Sequence, residues 1–123
     1  MDRRKFISKR FHIIIDAFDC DKTLLADKAF LLQFIKKAAK MLGMKILKGP
    51  EVAKGIAANP GLTLFAIIDF SHISIHTFTA PREFCLDIFS CKPFNYKKLE
   101  NYVKRTFNLK NKQIFKSVIK YDR

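Results

Sequence analysis

Cysteine is scarce: the chain has three, Cys20, Cys85 and Cys91, and no two of them form a CxxC pair. An odd count without that spacing excludes a disulfide framework and a structural zinc site, and leaves each thiol as a core residue or a reactive group. Acidic residues are few as well, 11 against 24 lysines and arginines, for a net charge of +13. Such a charge attracts anions, yet the lysines are dispersed through "QFIKKAAK", "FNYKKLENYVKRTF" and "NLKNKQIFKS" rather than gathered on one predicted face. The reading is a solvated surface with a basic bias and no nucleic-acid partner. Long apolar runs are missing too. No stretch approaches the roughly 18 residues of a transmembrane helix, and the start, "MDRRKFISKRFHIII", lacks a long apolar region ending in a small-residue cleavage site. A cytoplasmic protein with no membrane partner is the expectation. No GxSxG nucleophile elbow occurs, which leaves a Ser-His-Asp hydrolase without support.

What is present is an ordinary globular composition, 49% hydrophobic and 28% charged over 123 residues, enough for one domain spanning 1–123 around one core. Residues 11–18, "FHIIIDAF", read as a buried strand. Asp27 can cap a helix whose inward residues are Phe30, Leu31, Phe34, Ile35, Ala38, Met41 and Leu42, with Gly43 as its stop. "MKILK" reads as a strand, "GPEVAKGIAANPG" as irregular structure because of its three glycines and two prolines, and "LTLFAIID" as the next strand. Asn95 can cap a second helix with Leu99, Tyr102, Val103 and Phe107 inward, and "QIFKSVIKY" alternates as a last strand. The order β-α-β-β-β-β-α-β predicts an α+β two-layer sandwich, an antiparallel sheet with two helices on one face.

The densest chemistry lies in "FSHISIHTF", residues 70–78. Alternate residues of a strand share a face, so His72, Ser74 and His76 line one side and Ile73 and Ile75 the other. Ser71 has the wrong parity to join the histidines, which predicts a chain reversal around residues 70–72 with Ser71 at the corner. In "EFCLDIFSC", Phe84, Leu86 and Ile88 share one face while Cys85, Asp87, Phe89 and Cys91 share the other. One face of the sheet is therefore apolar, and the other carries histidines, an aspartate and thiols. His72 and His76 stand roughly 13 Å apart by strand rise, too far to hold one ion, so no metal is expected.

"HIIIDAFDCD", "FSHISIHTF" and "LDIFSC" together resemble the small bacterial and archaeal S-adenosylmethionine decarboxylases, and the similarity runs over nearly the whole chain. What the resemblance implies is a proenzyme that cuts itself between Phe70 and Ser71, giving residues 1–70 and 71–123. In the family, the serine matching Ser71 attacks the preceding carbonyl, the peptide bond becomes an ester, the serine α-proton is removed, and elimination and hydrolysis leave a pyruvoyl group with release of ammonia. That self-made cofactor takes the substrate amine as a Schiff base and serves as electron sink when CO₂ leaves. The resemblance implies that His76 is the processing base, Cys91 the proton donor for the carbanion, and Thr63 the counterpart of a serine that assists processing. It also implies a homodimer or larger assembly with sites built between subunits, acting on a small molecule and supplying polyamine (spermidine) synthesis.

The chain departs from the family pattern around the nucleoside. Phe70 stands where a glutamate precedes the cleavage site, and Phe78-Thr79-Ala80 stands where the family has Trp-Pro-Glu. The glutamate missing at Ala80 is the expected holder of the ribose hydroxyls. Phe78 can still stack on a purine, and Glu83 is the nearest carboxylate able to take the ribose. Two alternatives stay open at this point: the same machinery acting on arginine or ornithine, and an unprocessed, non-catalytic relative.

Overall fold

A computed structural model describes residues 7–121; the basic start, "MDRRKF", lies outside the described residues. The elements are β1 (Phe11–Ala17), α1 (Lys22–Leu25), α2 (Lys28–Met41), β2 (Ile46–Ile56), β3 (Asn59–Ile68), β4 (Ser71–Phe78), β5 (Glu83–Ser90), α3 (Tyr96–Phe107) and β6 (Ile114–Ile119), with one turn of 3₁₀ helix at Asn111–Gln113. The six strands form one sheet in the order β2-β3-β4-β5-β1-β6. Every neighbouring pair is antiparallel. This is the α+β two-layer arrangement that the sequence predicts.

Local signals explain the helices. The Asp27 side chain accepts the amide of Phe30 at 3.0 Å, and the Asn95 side chain accepts that of Lys98 at 2.9 Å, each satisfying an N-terminal donor that has no partner inside its helix. Helix α2 turns Leu31, Phe34, Ile35, Ala38 and Ala39 inward and stops at Gly43, whose φ of +73° is cheap for glycine. Helix α3 turns Leu99, Tyr102, Val103 and Phe107 inward. The two helices meet through Phe34 and Phe107, ring centroids 5.0 Å apart, and Phe107 reaches the sheet at Phe84, 4.5 Å away. Ile13, Ile15, Leu64, Ile73, Ile75, Leu86 and Ile88 complete the buried layer beneath them. A one-turn helix, α1, was not expected from the pattern; Asp21 caps it by accepting the amide of Thr23 at 2.8 Å.

The segment expected to be irregular, 49–61, is instead the outer part of a long hairpin. Strand β2 runs on to Ile56 and β3 begins at Asn59. Three shifts of register interrupt the β2–β3 ladder, and Pro50 lies in the second of them, where an edge strand tolerates a residue without an amide proton. Gly61 has a different cause: a Cβ there would lie 1.8 Å from the Thr77 carbonyl oxygen, so the close approach of β4 requires glycine. Both residue types mark strand irregularity here rather than loop. The β3–β4 reversal also sits slightly earlier than expected. Asp69 and Phe70 form the turn, and Ser71 is the first residue of β4, paired with Ile68 and with Ser90.

Candidate active site

The sheet has one face under the helices and one face open. Alternation along β4 puts Ile73, Ile75 and Thr77 into the core and leaves His72, His76 and Phe78 half-buried on the open side. Register then assembles residues from different strands into transverse rows. One row reads Thr63, His76, Cys85, Asp16 and Phe115 across β3, β4, β5, β1 and β6. Another reads Ile67, His72, Phe89, His12 and Ile119.

The first row is bonded at both ends of its polar part. Thr63 Oγ1 lies 3.0 Å from His76 Nδ1. On the far side of His76, burial pushes the Cys85 thiol up to about 11, and the charge of Asp16 together with its hydrogen bond adds to the effect. Cys85 is thus a protonated thiol at neutral pH. Phe78 and Glu83 are paired at the same end of the face, next to His76 and Cys85, with Glu83 exposed. Ala80, in the turn beyond, is exposed and brings no hydrogen-bonding side chain.

The Phe70–Ser71 bond lies at the other end of β4. Ser71 has φ +143°, a conformation unusual for a residue with a Cβ, and strain of this kind costs on the order of 1–3 kcal/mol. Several contacts hold the turn in place. Asp69 donates its amide to the Lys45 carbonyl at 2.9 Å and accepts the Lys45 amide at 3.1 Å through its side chain. The Lys92 ammonium lies 5.2 Å from the centroid of the Phe70 ring while donating to the Gly43 carbonyl at 2.9 Å. Most telling is the backbone amide of Cys91, which donates to the carbonyl oxygen of Phe70 at 3.0 Å. Cys91 itself is exposed, just past the end of β5.

The residues singled out from sequence therefore fall into two groups. Phe70, Ser71 and Cys91 meet at one end of β4, and Thr63, His76, Phe78 and Glu83 meet at the other. Five residues of strand separate Ser71 from His76, about 17 Å at the usual rise. Within one chain His76 does not face the Ser71 corner. Sequence reading missed two cross-strand partnerships, Asp16 with Cys85 and His12 with Asp87, the latter 2.8 Å apart. Same-face parity flagged Cys85 and Asp87, but their partners depend on β1 pairing with β5. Among the described residues no group of three or more histidine, cysteine, aspartate or glutamate side chains is arranged to hold a metal ion.

Comparison with known proteins places this geometry in a family. A sequence model of S-adenosylmethionine decarboxylase matches residues 11–118. The S-adenosylmethionine decarboxylase proenzyme of Clostridium botulinum (strain Langeland) is 34% identical over 107 residues, covering 85% of this chain and 88% of that protein. The proenzyme of the same name from Pyrobaculum islandicum is 36% identical over 80 residues, covering 65% of this chain and 62% of that protein. In fold, the crystal structure of the adenosylmethionine decarboxylase from Aquifex aeolicus superposes with a TM-score of 0.76 at 21% identity, covering 91% of this chain and 89% of the other. With the family matched over nearly all of its length, the chain belongs to the S-adenosylmethionine decarboxylases.

Proposed function

We propose that this protein is a self-processing decarboxylase of S-adenosylmethionine whose Phe70–Ser71 bond is the one that is cut. The observation that carries the reading is the hydrogen bond from the Cys91 amide to the Phe70 carbonyl oxygen at 3.0 Å. That carbonyl is the group the Ser71 hydroxyl attacks. A backbone donor aimed at it favours the charge that develops on its oxygen, and the φ of +143° at Ser71 raises the energy of the uncut chain. Attack forms the ester from Ser71 Oγ to the Phe70 carbonyl carbon and breaks the peptide C–N bond, the Ser71 nitrogen leaving with a proton. Loss of the Ser71 α-proton then expels the Phe70 carboxylate, and water releases ammonia from the dehydroalanine.

Ser71, the strained first residue of β4 directly after the Asp69–Phe70 turn and beside the exposed Cys91, fits the conversion to a pyruvoyl group. That group, once made, supplies the electron sink for loss of CO₂. Cys91 holds the proton returned to substrate carbon, a role suited to an accessible thiol near the new chain end. Thr63 holds His76 by its Nδ1, and His76 serves as the base of processing. Phe78 offers a face to the purine and Glu83 a carboxylate to the ribose.

The reading requires two copies. Ser71 and His76 are about 17 Å apart on one strand, so a second copy must bring its Thr63–His76 end against the Phe70–Ser71–Cys91 end of the first. The open sheet face suits that packing, because Phe65 and Ile67 are 42% and 41% exposed there. No helix among the described residues is long and apolar enough to cross a membrane. The three unpaired cysteines favour a reducing compartment, which supports the cytoplasm, and the product would serve polyamine synthesis.

Intact mass of purified protein tests the proposal. Two fragments, 1–70 and 71–123, are expected, the second resistant to amino-terminal sequencing, with Ser71→Ala remaining one chain. A wild-type chain that stays whole after prolonged warm incubation overturns it.

A further inference from the structure

His12 and His72 of the second transverse row join Asp87, one position along β5 from Ile88 and paired with Ser74, and Tyr121 in a chain of side-chain contacts that the processing chemistry does not use. Tyr121 Oη lies 2.8 Å from His12 Nδ1, and His12 Nε2 lies 2.8 Å from Asp87 Oδ1. The same carboxylate oxygen lies 3.7 Å from His72 Nε2. A carboxylate only accepts, so His12 donates through Nε2, and in the neutral ring Nδ1 accepts the tyrosine hydroxyl. The His72 ring is stacked between Phe65 at 5.3 Å and Phe89 at 6.0 Å, and His12 meets Phe89 edge-on at 5.2 Å. The side chains of His12, Asp87 and His72 are only 15%, 30% and 31% exposed, which strengthens the polar contacts relative to a surface pair.

Position gives the group its meaning. His72 is the residue after Ser71, and Asp87 pairs in register with Ser74 two residues further on. A slip of β4 by one residue would carry His72 from the open face into the core and break every contact in the set. The set also spans the bond read here as the cleavage site: His12 belongs to residues 1–70, whereas His72, Asp87 and Tyr121 belong to 71–123. The strand order interleaves the two pieces, with β1 of the first lying between β5 and β6 of the second. Cutting at Phe70–Ser71 would turn the strained start of β4 into a free chain end, and free strand ends fray.

We propose that Tyr121, His12, Asp87 and His72 form a clamp that pins the Ser71 end of β4 in register on β5, before the chain is cut and after, with Asp87 as its central positioning residue. The inference rests on the reading that Phe70–Ser71 is the bond cut. Asp87 acts through His12 and His72 and touches no reacting atom.

The test is a time course of fragment appearance in freshly made Asp87→Ala, Asp87→Asn and Tyr121→Phe proteins, with Phe115→Ala as an open-face control. Asp87→Ala is expected to slow cleavage about tenfold or more, the loss of one charge-assisted hydrogen bond from a positioned strand. Asp87→Asn keeps an oxygen that accepts from His12 and should recover most of the rate. Tyr121→Phe, which removes a single hydroxyl near the chain end and leaves the core intact, should slow cleavage about two- to threefold. Amide exchange in a Ser71→Ala background supplies a second readout that needs no cleavage: adding Asp87→Ala should lower protection at His72 and Ile73 while sparing Leu64 and Ile13. Cleavage of Asp87→Ala at the wild-type rate overturns the clamp, as does slowing no greater than Phe115→Ala produces at an equal loss of melting temperature. Slowed cleavage of Asp87→Ala that accompanies conversion from dimer to monomer, with protection at His72 and Ile73 unchanged, also overturns it, in favour of a purely interfacial role. If the wild-type chain never fragments, the cleavage reading falls and amide exchange alone decides the clamp: unchanged protection removes it.

Discussion

Thr63 Oγ1 and His76 Nδ1 lie 3.0 Å apart on adjacent strands, directly opposite one another in the β3–β4 ladder. The hydroxyl fixes the plane of the imidazole and leaves Nε2 as the nitrogen available for proton transfer, provided His76 serves a Ser71 corner brought by a second copy. Thr63→Val keeps the shape and removes the hydroxyl, so self-cleavage should slow by about tenfold, the value of one part-buried hydrogen bond. Thr63→Ser should cleave at close to the normal rate. His76→Ala should remain largely uncut over the same period. Fragment ratios from a denaturing gel read all three, and equal rates for Thr63→Val and the wild type would detach Thr63 from processing.

Cys91 should be the reactive thiol. Burial pushes Cys20 up to about 11, with the charge of Asp19 adding to it, and burial with the charge and hydrogen bond of Asp16 does the same to Cys85. Both stay protonated when Cys91, exposed at the end of β5, meets a reagent. Iodoacetamide at mildly alkaline pH should label Cys91 well before the other two, as read by peptide mass. Cys91→Ala should still fragment but lose turnover by on the order of a hundredfold, the usual worth of a positioned proton donor. Were Cys85→Ala to show that loss instead, the thiol beside His76 would be the donor.

Much of this arrangement is legible in the sequence, and the rest fails to be for identifiable reasons. The strict alternation in "HISIH" and "FCLDIF" separates core from open face because the two faces meet different solvents, and Asp27 and Asn95 announce their helices through short-range capping that needs no tertiary context. The hairpin over 49–61 is illegible because Gly61 and Pro50 answer to a neighbouring strand and to a shift of register, while composition alone reads them as loop. The contacts of His12 with Asp87 and of Cys85 with Asp16 depend on a register set across more than 60 residues of chain. The split between Ser71 and His76 needs only strand rise to be seen, and its resolution needs a second chain, which one sequence does not display.

Glu100 gives a pH signature of stability independent of the site. Desolvation alone would raise its pKa, but the hydrogen bond and charge of Lys116, with the charges of Lys97 and Lys104, outweigh it and hold the carboxyl below its ordinary value near 4.5. Lys116 lies on β6, 3.2 Å from the carboxylate, so the pair ties α3 to the edge of the sheet. A depressed folded value means that the stabilisation is fully present above the ordinary carboxylate range and disappears as pH falls through the folded value. Glu100→Gln should therefore destabilise at pH 7 by about 0.5–1 kcal/mol, with wild type and variant converging in acid. Urea melts at neutral and strongly acid pH measure it, and a difference that does not shrink as the carboxyl is protonated would point to packing instead of charge.

Substrate recognition yields the last prediction. A nucleoside sulfonium presents ribose hydroxyls, and leaving each poorly paired in a closed site costs on the order of 1–3 kcal/mol. It also presents a purine and a positive sulfur that favour aromatic faces, a cation–π contact being worth roughly 0.5–2 kcal/mol. Phe78 and Glu83 are register partners at the His76 end of the open face, so on the proposed reading one would offer the ring and the other the carboxylate from adjacent strands. Ala80 supplies neither. The expectation is that the processed protein decarboxylates S-adenosylmethionine with a Michaelis constant set largely by Glu83. Glu83→Ala should raise KM by about tenfold or more with little change in kcat, because the ribose contact is made equally in ground and transition states. Release of labelled CO₂ from carboxyl-labelled S-adenosylmethionine, arginine and ornithine, measured side by side, checks the substrate. Release from either amino acid but not from the sulfonium would assign the machinery to a smaller amine, and an unchanged KM in Glu83→Ala would move ribose recognition to another residue.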